Sequence, residues 1–244
     1  MVAINAETIF KIGDFPITNS VIAASLPIIA LAIITFIGTR KMKKRPKGLQ
    51  NVLEMIVESI LKLTHDVVEN KKVANLVFPI VATFFIFIIV NNWAGLLPGF
   101  GTIGVYETIE GHEKLVPILR SANADLNTTI MLSILSVLTI QIVGISALGL
   151  KKYSKKFFNF SSPILFFVGI LELISEFIKI ISFSFRLYGN VFAGEVLLIV
   201  ITLLVPYVMP IPFYGLELFV GFIQALVFTM LTLVFIKMAT AEVH

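Results

Sequence analysis

The chain contains no cysteine, a single tryptophan and only three histidines. Without cysteine there is no disulfide framework, no thiolate chemistry and no cysteine-ligated metal site. Charge is scarce as well. Only 14% of the 244 residues are Asp, Glu, Lys or Arg, where a soluble domain carries about a quarter. It is missing in blocks: Asp14 and Arg40 enclose 25 residues without a charge, Lys72 and Glu107 enclose 34, and Asp125 and Lys151 enclose 25. Residues 196–216 and 218–236 add runs of 21 and 19. A helix needs about 20 apolar residues to cross a bilayer, so the chain reads as an all-α polytopic membrane protein. The short alternating segments of an outer-membrane barrel are absent. The N-terminus lacks a basic region ahead of an apolar core, and it is not rich in Arg and Ser, so insertion is expected to rely on the spans themselves.

The charges that are present report orientation. The formal net charge is +4, but the basic residues cluster in short loops between apolar runs. They therefore carry no implication of nucleic-acid binding. The first span is expected over residues 17–38 and ends in "TRKMKKRPKG", with six Lys/Arg between Arg40 and Lys47. By the positive-inside rule this loop is cytoplasmic and the N-terminus lies outside. Residues 49–70 place Val52, Leu53, Ile56, Ile60, Leu63 and Val67 on one side, with Glu54, Glu58, Lys62 and Asp66 on the other. This pattern predicts an amphipathic helix lying on the cytoplasmic surface of the lipid bilayer. Span 2 (74–97) ends at "NNWAGLLPGFG", and span 3 (126–150) ends at "KKYSKK". A long helix is expected over 163–204, and a last helix over 213–238 after a turn holding Pro206, Pro210 and Pro212. The long helix would measure about 60 Å, twice the hydrocarbon thickness, so it must tilt, curve or lie partly in the interface. The layout is a single integral membrane domain, 1–244. It has five membrane-crossing helices, the last two forming a long tilted antiparallel hairpin, and the C-terminus is cytoplasmic. No internal repeat is present, which argues against an inverted-repeat transporter.

The long helix carries an unusual stripe. At 100° per residue, Glu172, Ser175, Lys179, Ser182, Arg186 and Asn190 share an arc of about 80°. Ser and Asn alone would be ordinary interhelical hydrogen-bonding groups; a Glu, a Lys and an Arg in the same line are not. Arg186 lies about midway along the helix, where snorkelling is difficult. Burying an arginine at the bilayer centre costs about 3 kcal/mol or more, and the guanidinium cannot escape by deprotonation. A carboxylate or water must compensate. Gly189 and Ala193 lie beside it, trimming that face for close approach of another helix. Glu195 is half a turn away from Arg186 and cannot pair with it on a straight helix. In the last helix Glu217 and Gln224 share a face. Antiparallel packing brings Glu195 toward Glu217 and Arg186 toward Gln224. Two carboxylates facing one cavity suit a proton or cation path.

These segments carry a family resemblance. "FRLYGNVFAGE" followed by "IQALVFTMLTLVFIKMATAEVH" resembles subunit a of the F-type ATP synthase, and "NNWAGLLPGF" and "ADLNTT" resemble the same family's second-span end and third-span start. The resemblance implies a non-catalytic, ion-translocating stator subunit, most simply for protons. Its partners would be a c-subunit ring, peripheral-stalk b subunits and, through the stalks, a soluble ATPase sector. It implies Arg186 as the arginine facing the c-ring carboxylate. Glu195, Glu217 and Gln224 would line the outer half-channel or flank the arginine, and Glu172, Ser175 and Lys179 would lie near the cytoplasmic one. Asn190 and Asp125 match polar positions of the family. Histidine stands at the Glu195 or Glu217 position in some relatives, and glutamate holds both here. A bacterial plasma membrane is implied, with an organelle inner membrane as the alternative location.

Two other functions compete: a stand-alone ion channel or secondary transporter, which would work without a ring partner, and a membrane-embedded enzyme, which would need clustered Asp/His motifs that are absent. No cofactor is expected. "GFGTIG" (Gly99–Gly104) matches a dinucleotide fingerprint by letter, but it follows a span instead of a strand and reads as an outside turn. The "ETIEGHEK" cluster, Glu107, Glu110, His112 and Glu113, reads as solvated charge on an outside loop instead of a metal site. His65 and His244 read as solvated too.

Overall fold

The computed structural model describes residues 8–13, 15–40, 42–100, 103–109, 112–157 and 162–241. Among these residues seven α-helices follow in order: α1 (Asn19–Thr39), α2 (Leu49–Val68), α3 (Lys71–Ala94), α4 (Leu126–Leu148), α5 (Leu150–Phe157), α6 (Pro163–Leu204) and α7 (Pro210–Thr240). Four of them, α1, α3, α4 and α7, are each long and apolar enough to cross a membrane. This is the make-up of a polytopic membrane protein.

Local chemistry explains the helix ends. The Asn70 side chain accepts from the Lys72 and Val73 amides to start α3, and Asp125 accepts from the Asn127 amide to start α4. Pro163 opens α6, and Pro210 opens α7, where a missing N–H costs nothing. The last helix therefore begins at Pro210 instead of about Phe213, because prolines in a first turn continue into a helix. Span 2 is also shifted toward the N-terminus: α3 runs from Lys71 to Ala94, and residues 95–100 form turns.

Three segments outside the long helices hold structure that hydrophobic periodicity does not reveal. Two short antiparallel hairpins, β1 (Thr8–Ile12) with β2 (Phe15–Thr18) and β3 (Gly104–Ile109) with β4 (His112–Pro117), occupy the N-terminal segment and the α3–α4 connection. The connection expected as an outside loop is thus partly a hairpin. The side chains of Glu107, Glu110, His112 and Glu113 lie outside the described residues, as do His244 and part of Gly99–Gly104. The third is α5, an eight-residue amphipathic helix that carries Lys151, Lys152, Lys155 and Lys156 while Tyr153 is buried.

The core is built from α3, α4, α6 and α7. At one level Val77, Val81, Ile140, Leu233 and Ile236 pack together, with Val68 of α2 and Tyr153 of α5. At the next level Phe84, Ile88, Leu132, Phe183, Leu187 and Phe228 do the same. Small residues set the spacing: a Cβ added to Gly144 would press on the Tyr153 ring. The Tyr153 hydroxyl donates to Gln141 Oε1 at 2.6 Å. Burial, reinforced by Glu176 and Glu172, pushes its phenol up to about 12. α2 buries only Ile60, Thr64 and Val68 and leaves Val52, Met55 and Ile56 exposed, as a surface-lying amphipathic helix would. Its end is tied to α7 by an ion pair from Lys237 to Glu69. α1 is peripheral, with Asn19, Ser20, Ala23 and Pro27 buried and most of the rest exposed.

Candidate functional site: a polar seam between two helices

Contacts between α6 and α7 climb one helix as they descend the other. Lys179 lies over the Phe235 ring, Phe183 packs on Phe228, and Asn190 meets Gln224. Glu217 reaches the backbone at Gly194, where an added Cβ would collide with its carboxylate. Two cavities open along this seam, one on each side of the Phe183–Phe228 contact.

The first cavity, about 260 Å³, is lined by Ser175, Lys179, Ser182, Arg186 and, from α7, Leu231 and Phe235. Arg186 Nη2 donates to Ser182 Oγ at 3.2 Å, and no carboxylate among the described residues forms an ion pair with it. Its side chain is exposed, next to Phe185 and Ile181, which are 56% and 58% exposed apolar residues. Space over Gly189 is open, and Ala193 is exposed too. A permanent cation therefore stands on a bare apolar face, with room beside it. Toward the start of α6, the Lys179 ammonium donates to Glu176 at 2.7 Å, and Lys156 of α5 pairs with Glu172 at 2.7 Å.

The second cavity is small, about 20 Å³, and is walled by Asn92, Ser121, Asn190, Glu195, Glu217 and Gln224 among others. This is about the space of one water. Asn190 Nδ2 donates to Gln224 Oε1 at 2.6 Å. Gln224 Nε2 and Ser121 Oγ are buried without a hydrogen-bond partner among the described residues, and both belong to residues lining this space. Glu195 lies within electrostatic reach of Glu217 and of the Arg120 guanidinium.

Most of the residues singled out in the sequence thus line one of the two cavities. Ser175, Lys179, Ser182 and Arg186 line the first; Asn190, Glu195, Glu217 and Gln224 line the second. Glu172 lines neither and is held by Lys156. One pairing differs from expectation: Gln224 meets Asn190 rather than Arg186, one helical turn farther along α6. Arg186 and Glu195 serve different cavities.

Several contributors escaped the sequence reading. Glu176 is buried and fixes the Lys179 ammonium; the signal was an i, i+3 Glu–Lys pair. Asn123 Nδ2 donates to Asn92 Oδ1 at 2.7 Å, and Asn92 Nδ2 donates to the Gly221 carbonyl at 3.0 Å. Ser20 Oγ donates to Asp125 at 2.6 Å, joining the starts of α1 and α4. Residues 120–125 are all buried, although they form only one 3-10 turn, Ala122–Ala124. No group of three or more metal-ligating side chains occurs among the described residues.

Comparison with known proteins bears on what such a seam belongs to. Residues 21–237 match the family described as ATP synthase A chain. The chain is 33% identical over 236 residues to the ATP synthase subunit a of Moorella thermoacetica, an alignment covering 97% of each protein. It is 34% identical over 211 residues to the ATP synthase subunit a of Campylobacter jejuni, covering 85% of this chain and 84% of that one.

Proposed function

Because the chain belongs to the ATP synthase A chain family, as a non-catalytic, multi-pass membrane subunit of that complex, we propose that it is the ion-translocating stator. In this reading the two cavities are the inner ends of two aqueous half-channels, and Arg186 divides them. The observation that carries it is the exposed Arg186 guanidinium midway along a 42-residue apolar helix, with open space over Gly189 beside it. An arginine left in lipid at that depth is costly, so a partner must cover it. A ring of c subunits, each with a carboxylate at mid-membrane, is a partner of the right charge.

The mechanism follows from solvation. A c-subunit carboxylate crosses lipid only when neutral, because the ionised form is too costly there. Opposite Arg186 the ionised form is favoured, and the proton leaves toward the cytoplasmic cavity that holds Ser175, Lys179 and Ser182. Reprotonation comes from the outer cavity, along Glu217, Glu195, Gln224 and Asn190. The fixed charge of Arg186 blocks a direct leak between the two. One charge moving through 100 mV yields about 2.3 kcal/mol, so several ions must be pooled for each ATP made elsewhere in the complex. The coupling ion is most simply the proton, which Glu195 and Glu217 of the second cavity can each take up and release.

The topology completing this reading has five crossings. α6 and α7 form a tilted antiparallel hairpin, the N-terminus and both β-hairpins lie outside, and the lysine-rich turns lie inside a bacterial plasma membrane. Peripheral-stalk b subunits would hold the chain against the ring and connect it to the soluble ATPase sector.

ATP-driven proton pumping by the intact complex in inverted vesicles is the test. Arg186→Ala and Arg186→Lys should both abolish it, the lysine because it lacks the fork and can deprotonate. Pumping at normal rates in either assembled variant would overturn the proposal. Function of the chain without a ring would favour a solitary channel instead.

A further inference from the structure

Arg186 shares the first cavity with a second cation. Lys179 lines it too, seven residues earlier in α6. Seven residues are close to two turns, about 10 Å of rise on the same side of the helix. Two bare positive charges on one wall would oppose a proton crossing the space. The charge of Lys179, however, is answered. Its Nζ donates to Glu176 Oε1 at 2.7 Å and lies 4.5 Å from the centre of the Phe235 ring. Glu176 does not line the cavity. It stands on the buried side of α6 with Gly169, Phe183 and Leu187, and it is 9% exposed. Its Oε2 is buried with no hydrogen-bond partner among the described residues. Such a pair is a poor source of stability, because desolvating a carboxylate is costly and apolar side chains in place of a buried ion pair often hold a fold as well or better. Stabilisation therefore explains Glu176 badly, and least of all an oxygen left without a partner. What the carboxylate does change is the net charge on the cavity wall.

We propose that Glu176 is a positioning residue of the cytoplasmic half-channel. It holds the Lys179 ammonium on the wall and cancels its charge, so that Arg186 is the uncompensated cation a proton meets there. An ammonium has three N–H donors, and Glu176 engages one of them. The others remain for water in the cavity, and the wall is polar without a net charge. A proton drawn from the cytoplasm during ATP-driven pumping then approaches Arg186 without first passing a bare ammonium.

Other charged and titratable groups around the pair have partners of their own. Glu172, one turn before Glu176, is bound by Lys156 of α5. Tyr153 of α5, within electrostatic reach of Glu176, donates its hydroxyl to Gln141. α4 carries no charged residue, and Lys237, two residues beyond Phe235 in α7, is paired with Glu69.

This inference rests on the stator reading, and the two fail differently. The intact complex in inverted vesicles is assayed for ATP-driven pumping per assembled complex, with Glu176→Gln and the double variant Glu176→Gln/Lys179→Gln. An uncompensated charge about 10 Å from the path, at an effective dielectric constant of about 20, slows a cation roughly tenfold, and Glu176→Gln should pump more slowly than the wild type by about that factor. The double variant lacks the same ion pair but keeps the wall neutral, so it should pump at least about threefold faster than the single one. Because both variants lose one ion pair, their melting temperatures should fall alike while their pumping differs. Pumping by Glu176→Gln within about twofold of the wild type, or a double variant as slow as the single one, would overturn the assignment. If Glu176→Gln does not assemble, the double variant decides: pumping within about threefold of the wild type supports the counter-charge role, and a greater loss refutes it. Absence of pumping by the wild-type complex would instead defeat the stator reading.

Discussion

The contact between Gly194 and Glu217 separates stability from function, and a single methyl group tests it. In Gly194→Ala the new Cβ would occupy the place of the Glu217 carboxylate. The obstructing atoms are the far end of a flexible side chain, so the carboxylate can swing away. A strained rotamer costs about 0.5–1.5 kcal/mol. Replacing glycine by alanine inside a helix returns roughly 0.5–1 kcal/mol. The two terms nearly cancel, and the variant should assemble with a thermal midpoint close to that of the wild type. Ion transfer should not survive so well. A relay needs heavy atoms within about 2.6–3.2 Å of each other, and a misplacement of roughly 1 Å costs on the order of a hundredfold. Pumping by the assembled complex, followed by quenching of a pH-sensitive dye in inverted vesicles, should therefore fall by tenfold to about a hundredfold, while the amount of complex is unchanged. Full pumping in the assembled variant would refute the reasoning that this carboxylate works from its seat on Gly194. A fall explained entirely by lost assembly would refute the claim that the side chain yields cheaply.

Gly169→Ala should behave in the opposite way. There the added Cβ would strike the Phe157 carbonyl, which is backbone and cannot turn aside. Overpacking of this kind costs about 1–3 kcal/mol, so the melting temperature should drop, measured on the purified complex, while pumping per assembled complex holds. Tyr153 gives a pH signature outside the spans. Burial, then Glu176 and Glu172, raise its phenol from the usual tyrosine range to about 12. The folded state therefore keeps this proton when the unfolded chain has lost it, and the stability it confers is present below about pH 10 and lost on rising toward about 12. Tyr153→Phe should remove this part of the alkaline decline, seen as a flatter dependence of the melting temperature on pH over that window.

The helices were largely legible because their signals are local. Pro163 and Pro206 bracket α6, and charge-free runs cover α1 and α4 and most of α3 and α7, since a bilayer imposes length and apolarity on each span separately. The stripe from Ser175 to Arg186 was legible for the same reason: all its members ride on one helix, where 100° per residue settles which side they share. What escaped depends on contacts between distant segments. Nothing in "ILRSANAD" says that residues 120–125, the end of the α3–α4 connection, are buried among α1, α3, α4 and α6, because the pattern of a buried turn is indistinguishable from that of an exposed one. Only the packing of Ser121 on Gly95 and the bond from Asn123 to Asn92 reveal the burial. The same limit explains Gln224. Helix periodicity put it on the face of Glu217, but the choice between Arg186 and Asn190 as its neighbour is one turn of axial register. That register is set by the Phe183–Phe228 contact and by the fit of Glu217 against Gly194. A glycine reads in sequence as an absence, and here the absence of one methyl group decides where a carboxylate sits.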